Sequence, residues 1–111
     1  MLHFFLVPSA PPSTITGRNT SSTSLKISWE DVPKEHQQGI ILDYKVYIKL
    51  STSGSFPTPA IVSSKSYEKT GLHYWSIYDI KIAARTSAGT GEESDILQVR
   101  TDEDSKSVFI H

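Results

Sequence analysis

Apolar and polar residues alternate strictly from Tyr78 to Ala84, with Tyr78, Ile80, Ile82 and Ala84 on one beat and Asp79, Lys81 and Ala83 on the other. A period of two sends alternate side chains to opposite faces of an extended chain, so this stretch predicts a half-buried β-strand. The beat stops at Gly89 and Gly91, set among Thr, Ser and Ala, where the backbone reaches positive φ without steric cost. It resumes at Leu97, Val99 and Thr101, which predicts strand, hairpin loop, strand. The same pattern sets Leu25, Ile27 and Trp29 against Lys26, Ser28 and Glu30, and Tyr44, Val46 and Ile48 against Lys45, Tyr47 and Lys49. Gly54, Pro57 and Pro59 leave room only for short edge strands, expected over 60–63 and 66–70. No helical period and no internal repeat is present. About seven short strands, with turn signals roughly every ten residues, predict an all-β antiparallel sandwich.

Composition narrows this further. A chain of 111 residues that is 37% hydrophobic and 21% charged suits one globular domain with an ordinary core. It has no cysteine, so apolar burial must hold the fold without disulfides or thiolate-bound metal. A net charge of -1 gives no overall pull toward nucleic acid or anionic lipid, and neither is expected as a partner. No apolar run approaches the roughly 20 residues of a membrane span, so no membrane insertion is expected. The proline-rich stretch from Pro8 reads as a boundary, dividing the chain into an N-terminal extension (1–7), a domain (8–102) and an acidic, polar tail (103–111). The leading MLHFFLV has neither a basic n-region nor a cleavage site, and fits a fragment boundary or an extra edge strand better than a signal peptide. At least one of the apolar ends LHFFLV and SVFI is expected to pair with a sheet edge or with a second copy of the chain, the latter as an edge-strand dimer.

Catalytic chemistry finds no foothold. His3, His36, His73 and His111 are scattered with no spacing that puts two on one face, so no metal site is expected. There is no nucleophile elbow, and GTGEES leads into a strand, leaving its backbone donors without a helix dipole behind them. No enzyme activity and no cofactor is expected.

Leu72 lies six residues before Tyr78, which opens a strand of the form Y-x-I-x-I-x-A-x-T followed by Ala88-Gly89-Thr90-Gly91 and Ser94. With the proline-rich start, Trp29, the GIILDYKVYIK strand and Thr101 in order, residues 8–102 resemble the fibronectin type III family. The resemblance implies an immunoglobulin-like sandwich of seven antiparallel strands, with A, B and E in one sheet and C, C′, F and G in the other. Tyr78 then opens strand F as a tyrosine corner, its ring in the core and its hydroxyl turned back to upstream backbone. Trp29, Leu72 and Tyr78 are expected to be structural. Lys69 stands where the family places an apolar residue, and Tyr74 where it places proline, so strand E is expected to shift or fray. Tyr74 and Trp75 fall in the corner loop, where one of them is expected to be exposed and either to anchor a partner or to cover the sandwich end. Thr90 and Glu92 fall in the FG loop as further candidate contacts.

The alternation exposes Lys45, Tyr47 and Lys49 on C, Lys81, Ala83 and Arg85 on F, and Ile96, Gln98 and Arg100 on G. In the family's topology these share one face, while acidic residues cluster in loops and at the ends, which predicts a basic surface. It either solvates the sheet or docks a sulfated glycan or an acidic protein. Asn19-Thr20-Ser21 fits a glycosylation sequon near the A–B turn. The expected function is a non-catalytic binding or spacer module of a cell-surface or extracellular adhesion or receptor protein, recognising protein or glycan. The alternatives are an intracellular scaffold module like those of giant muscle proteins, or a spacer appended to a secreted carbohydrate-active enzyme.

Overall fold

The computed structural model describes residues 6–103. Eight strands follow one another: β1 (Ser13–Ser21), β2 (Ser24–Glu30), β3 (Asp43–Leu50), β4 (Ala60–Val62), β5 (Ser66–Lys69), β6 (Ile77–Thr86), β7 (Gly89–Glu93) and β8 (Leu97–Arg100). They form two antiparallel sheets, one ordered β1-β2-β5 and the other β4-β3-β6-β7, with β8 also pairing β6. This is the A-B-E and C′-C-F-G arrangement of an all-β sandwich, with the last strand in two pieces.

The inward beats of the three long strands meet between the sheets. Leu25 and Ile27 of β2 and Ile80 and Ile82 of β6 are completely buried, and Trp29, Tyr44, Val46, Tyr78 and Ala84 complete the core with them. Each large apolar side chain among them contributes about 1.5–3 kcal/mol on removal from water, the main favourable term in a fold without cross-links. Val32 and Leu72 close its ends.

The structure corrects the hairpin loop expected around Gly89 and Gly91. The turn is confined to Ser87 and Ala88, and both glycines belong to β7. Only Gly89, at φ 136, uses the conformational freedom of glycine to leave the turn. Gly91 is there for space, since a Cβ would stand 2.4 Å from the carbonyl oxygen of Pro8. That carbonyl accepts from Glu92 N–H at 3.3 Å, so residues 6–9 run against β7 as a strap. A second tie joins the Thr86 hydroxyl to the Leu6 carbonyl at 2.8 Å. Of the apolar end LHFFLV only Leu6 and Val7 are described; its other residues and SVFI lie outside the described residues. Gly91→Ala is expected to lift the strap, because the clash is with backbone that cannot rotate away. Faster hydrogen exchange at Glu92, with β3 unchanged, is the expected signature.

The expected last strand is observed as β8, and Ser94–Ile96 separates it from β7. The Ser94 hydroxyl accepts from Ile82 N–H at 2.9 Å while Ser94 N–H donates to the Ile82 carbonyl at 2.9 Å, so one residue answers both backbone groups and breaks the ladder.

Candidate interaction surface

The outer face of the five-stranded sheet is set by the pairing of β3 with β6, in which Asp43, Lys45, Tyr47 and Lys49 stand opposite Arg85, Ala83, Lys81 and Asp79. The expected cations Lys45, Lys49, Lys81 and Arg85 are brought together there, and three of them face carboxylates. Arg85 makes a two-pronged bridge to Asp43, with Nε to Oδ1 at 2.8 Å and a terminal nitrogen to Oδ2 at 2.6 Å. Lys81 Nζ lies 2.7 Å from Glu93, and Lys49 Nζ 3.3 Å from Asp79. Asp79 was legible as an outward position on the same beat as Lys81, and Asp43 on that of Lys45. The separation of acids to loops and ends therefore fails at these two positions, and Glu93 reaches back onto the face from β7.

Phe56, from the loop after β3, folds over this ladder. Its ring meets Tyr47 edge-on at 6.0 Å, with Lys81 Nζ 4.5 Å and Lys49 Nζ 5.4 Å from its centroid. Lys81 also lies 5.0 Å from the Tyr47 centroid, so a cation is held between two rings. No periodic signal in STSGSFPTP marks Phe56. Ala83 is fully buried although its beat faces outward, standing between Lys45 of β3 and Glu93 of β7. Lys45 is half-buried and has no ion-pair partner among the described residues.

Asp79 sits almost wholly buried in this ladder. The hydrogen bond from Gln98 at 2.8 Å, aided by Lys49 and Ser51, holds its carboxyl below the ordinary value of 3.8 against the opposing effect of burial. A depressed folded-state pKa contributes stability that is present above the ordinary value and lost as pH falls through the folded one. The gap in urea midpoint between the parent and Asp79→Asn is thus expected to be constant from pH 7 to 5 and to narrow below 3.8. A gap that is the same at pH 3 and pH 7 contradicts this account.

At the corner, both Tyr74 and Trp75 are more than half exposed. Trp75 takes the left-handed conformation, φ 47, secured by its N–H donating to the Asp102 carbonyl at 2.8 Å. Arg100 stacks on its ring at 4.6 Å. Nearby, Leu72 is buried, and Tyr78 Oη accepts from His73 N–H at 2.8 Å. Thr90 and Glu92, expected on a loop, lie on β7, Thr90 opposite Arg85 and Glu92 exposed beside the strap. Asn19 lies near the end of β1, three residues before the turn. Its Nδ2 donates to Asp102 at 2.9 Å and its Oδ1 is buried, a placement that disfavours attachment of an oligosaccharide. Burial, and then the hydrogen bond to Asp31 at 2.5 Å, raise the Tyr44 phenol above its ordinary range. Among the described residues, no three of His, Cys, Asp or Glu gather as a metal site requires, and no helix is long and apolar enough to cross a membrane.

A two-sheet sandwich with a tyrosine corner and a charge-laced outer face defines a class of antiparallel immunoglobulin-like modules. Within that class the chain belongs to the fibronectin type III family, whose domain model matches residues 10–100. It is 35% identical over 105 residues to mouse (Mus musculus) receptor-type tyrosine-protein phosphatase F, covering 90% of this chain and 6% of that protein. It is 34% identical over 103 residues to chicken (Gallus gallus) protein sidekick-1, covering 89% of this chain and 5% of that one. Among solved structures, the FN5 domain of Drosophila Lar superposes with a TM-score of 0.67 at 26% identity, covering 88% of this chain and all of that one. The chain therefore spans a small fraction of the curated relatives, and its own fold is that of a non-catalytic module.

Proposed function

We propose that the chain serves as a non-catalytic protein-recognition and spacing module in the extracellular part of a cell-surface adhesion or receptor protein. What carries this reading is the identity of 35% maintained across 90% of the chain to a receptor-type protein of which it covers only 6%. A domain of this size within so long a chain acts by what it touches and what it holds apart. The surfaces favoured for a protein partner are Lys45 and Tyr47 on the sheet face and Tyr74 and Trp75 at the corner, where exposed aromatic side chains offer contact area at low entropic cost. A sulfated-glycan partner has less support, because three of the five expected cations, Lys49, Lys81 and Arg85, already face carboxylates.

The test is accessibility on intact cells that express the full parent protein. An antibody raised against residues 6–103 is expected to label them without permeabilisation. Labelling only after permeabilisation overturns the extracellular placement in favour of an intracellular scaffold.

A further inference from the structure

One side of the sandwich is closed, where β1 packs against β8. The other side is not, since β4 and β5, the facing edges of the two sheets, do not pair with each other. Lys69 stands at that opening. Its cross-strand partner on β2 is Leu25, and that of Tyr67 is Ile27, both completely buried. Residues opposite one another in an antiparallel pair share a face, so Lys69 points toward the space between the sheets. Yet Lys69 is exposed, so water reaches inward at this point.

Two depressions meet there. One, of about 140 Å³, is walled by Val46, Ile48, Pro59 and Tyr67. The other, of about 400 Å³, is walled by Ile48, Leu50, Phe56, Leu72 and Tyr78. Ile48, Pro57 and Lys69 belong to both, so the depressions form one groove with a lysine at its middle. Neither Lys69 nor neighbouring Lys65 has an ion-pair partner among the described residues. The nearest acid in sequence, Glu68, is opposite Lys26 on the other face of its sheet and accepts from the Thr20 hydroxyl at 2.9 Å. The groove thus sets apolar side chains among polar ones, Thr58, Ser53, Ser55 and His73, with Lys69 at its middle and Lys49, paired with Asp79, in one wall.

Resting on the reading of the chain as a protein-recognition module, but not on where that module resides, we propose that this groove receives an extended acidic segment of a partner protein. The segment adds to the free edge of β5, seats alternate apolar side chains in the two depressions and sets a carboxylate on Lys69. An unpaired strand edge supplies backbone donors and acceptors for such an addition, and flanking pockets read alternate side chains. The lysine gives the charge preference, since a like charge placed there is repelled.

The test uses the full chain, 15N-labelled, titrated with two probes: an acetylated, amidated pentapeptide Val-Ser-Asp-Ser-Val, whose valines and aspartate share one face when extended, and its counterpart with lysine for aspartate. The acidic peptide is expected to shift the amides of Ala60–Val62 and Ser66–Lys69 saturably, and the basic peptide to leave them unmoved. Lys69→Glu is expected to weaken binding of the acidic peptide about tenfold and to reverse the preference. Should that variant melt earlier than the parent, Lys69→Gln serves, with the preference abolished instead of reversed. Equal response to both peptides, shifts centred elsewhere, no response at millimolar peptide, or a preference that survives Lys69→Glu each overturn the proposal. So does a shift of these amides with protein concentration alone, which assigns the edge to a second copy of the chain. Cell-surface labelling bears on none of these outcomes, so the two readings fail separately.

Discussion

Trp29→Ala is expected to destabilise the domain by about 3–5 kcal/mol, the usual cost of emptying a large aromatic site in a packed core. The total stability of a small domain is about 5–15 kcal/mol, so the variant approaches global unfolding under mild conditions. Trp29 is 4% exposed and meets the Tyr44 ring edge-on at 5.5 Å, across the space between the sheets. Its indole N–H, however, is buried with no hydrogen-bond partner among the described residues. Trp29→Phe forfeits some volume but also removes that orphaned donor, and an unsatisfied buried polar group costs about 1–3 kcal/mol. The phenylalanine variant is therefore expected to stay much closer to the parent than to the alanine variant in urea midpoint. Two variants of equal cost contradict the orphaned-donor account, and a neutral Trp29→Ala contradicts the placement of the core.

The second large effect is expected at the corner, where Tyr78→Phe removes a single oxygen. The ring keeps its packing and its burial at 4% exposure, so the loss isolates one hydrogen bond. The direction of that bond matters, because the phenol oxygen is the acceptor and the His73 N–H the donor. Without it the amide of a tight corner is left with no acceptor, at a cost of about 1–3 kcal/mol. Equilibrium unfolding in urea measures the difference, and identical midpoints for parent and variant would sink the corner assignment. A readout that points to the same cause is faster hydrogen exchange at His73, with Ile80 and Ile82 still protected.

The strands that carry the core were legible because each buries one face only, so β2, β3 and β6 repeat with a period of two and Leu25, Val46 and Ile80 fall on the inner beat. Lys69 was legible as a departure, an odd residue on an inward position. What escaped the pattern did so for physical reasons. Gly91 looks like a loop residue because glycine serves both turns and close approaches, and only the three-dimensional position of Pro8 tells the two apart. Ser94 breaks a ladder with its hydroxyl, a substitution of side chain for backbone that alternation does not register. The ion pairs were within reach, since Asp43 and Asp79 lie on the same beats as the lysines; treating lysines and acids as separate populations hid them. Phe56 comes from an aperiodic loop, and its cover over Tyr47 is a tertiary fact with no local signature.

The strap along β7 bears on how the domain responds to tension. Leu6 is tied to Thr86, at one end of the ten-residue β6, whereas Thr101 is tied to Ser76, just before the other end, with its N–H donating to the Ser76 carbonyl at 2.9 Å and its hydroxyl to the His73 carbonyl at 2.7 Å. A strand of that length runs about 33 Å, so the two fastenings are at opposite poles. A pull between residues 6 and 103 consequently runs lengthwise through the sandwich and loads the bonds of Leu6, Pro8 and Ser9 together, sideways to their own axes, instead of peeling them one at a time. The contacts at the strap and those of Thr101 share that load. Gly91, by letting Pro8 lie close, keeps the strap against β7 and so keeps this load path in place.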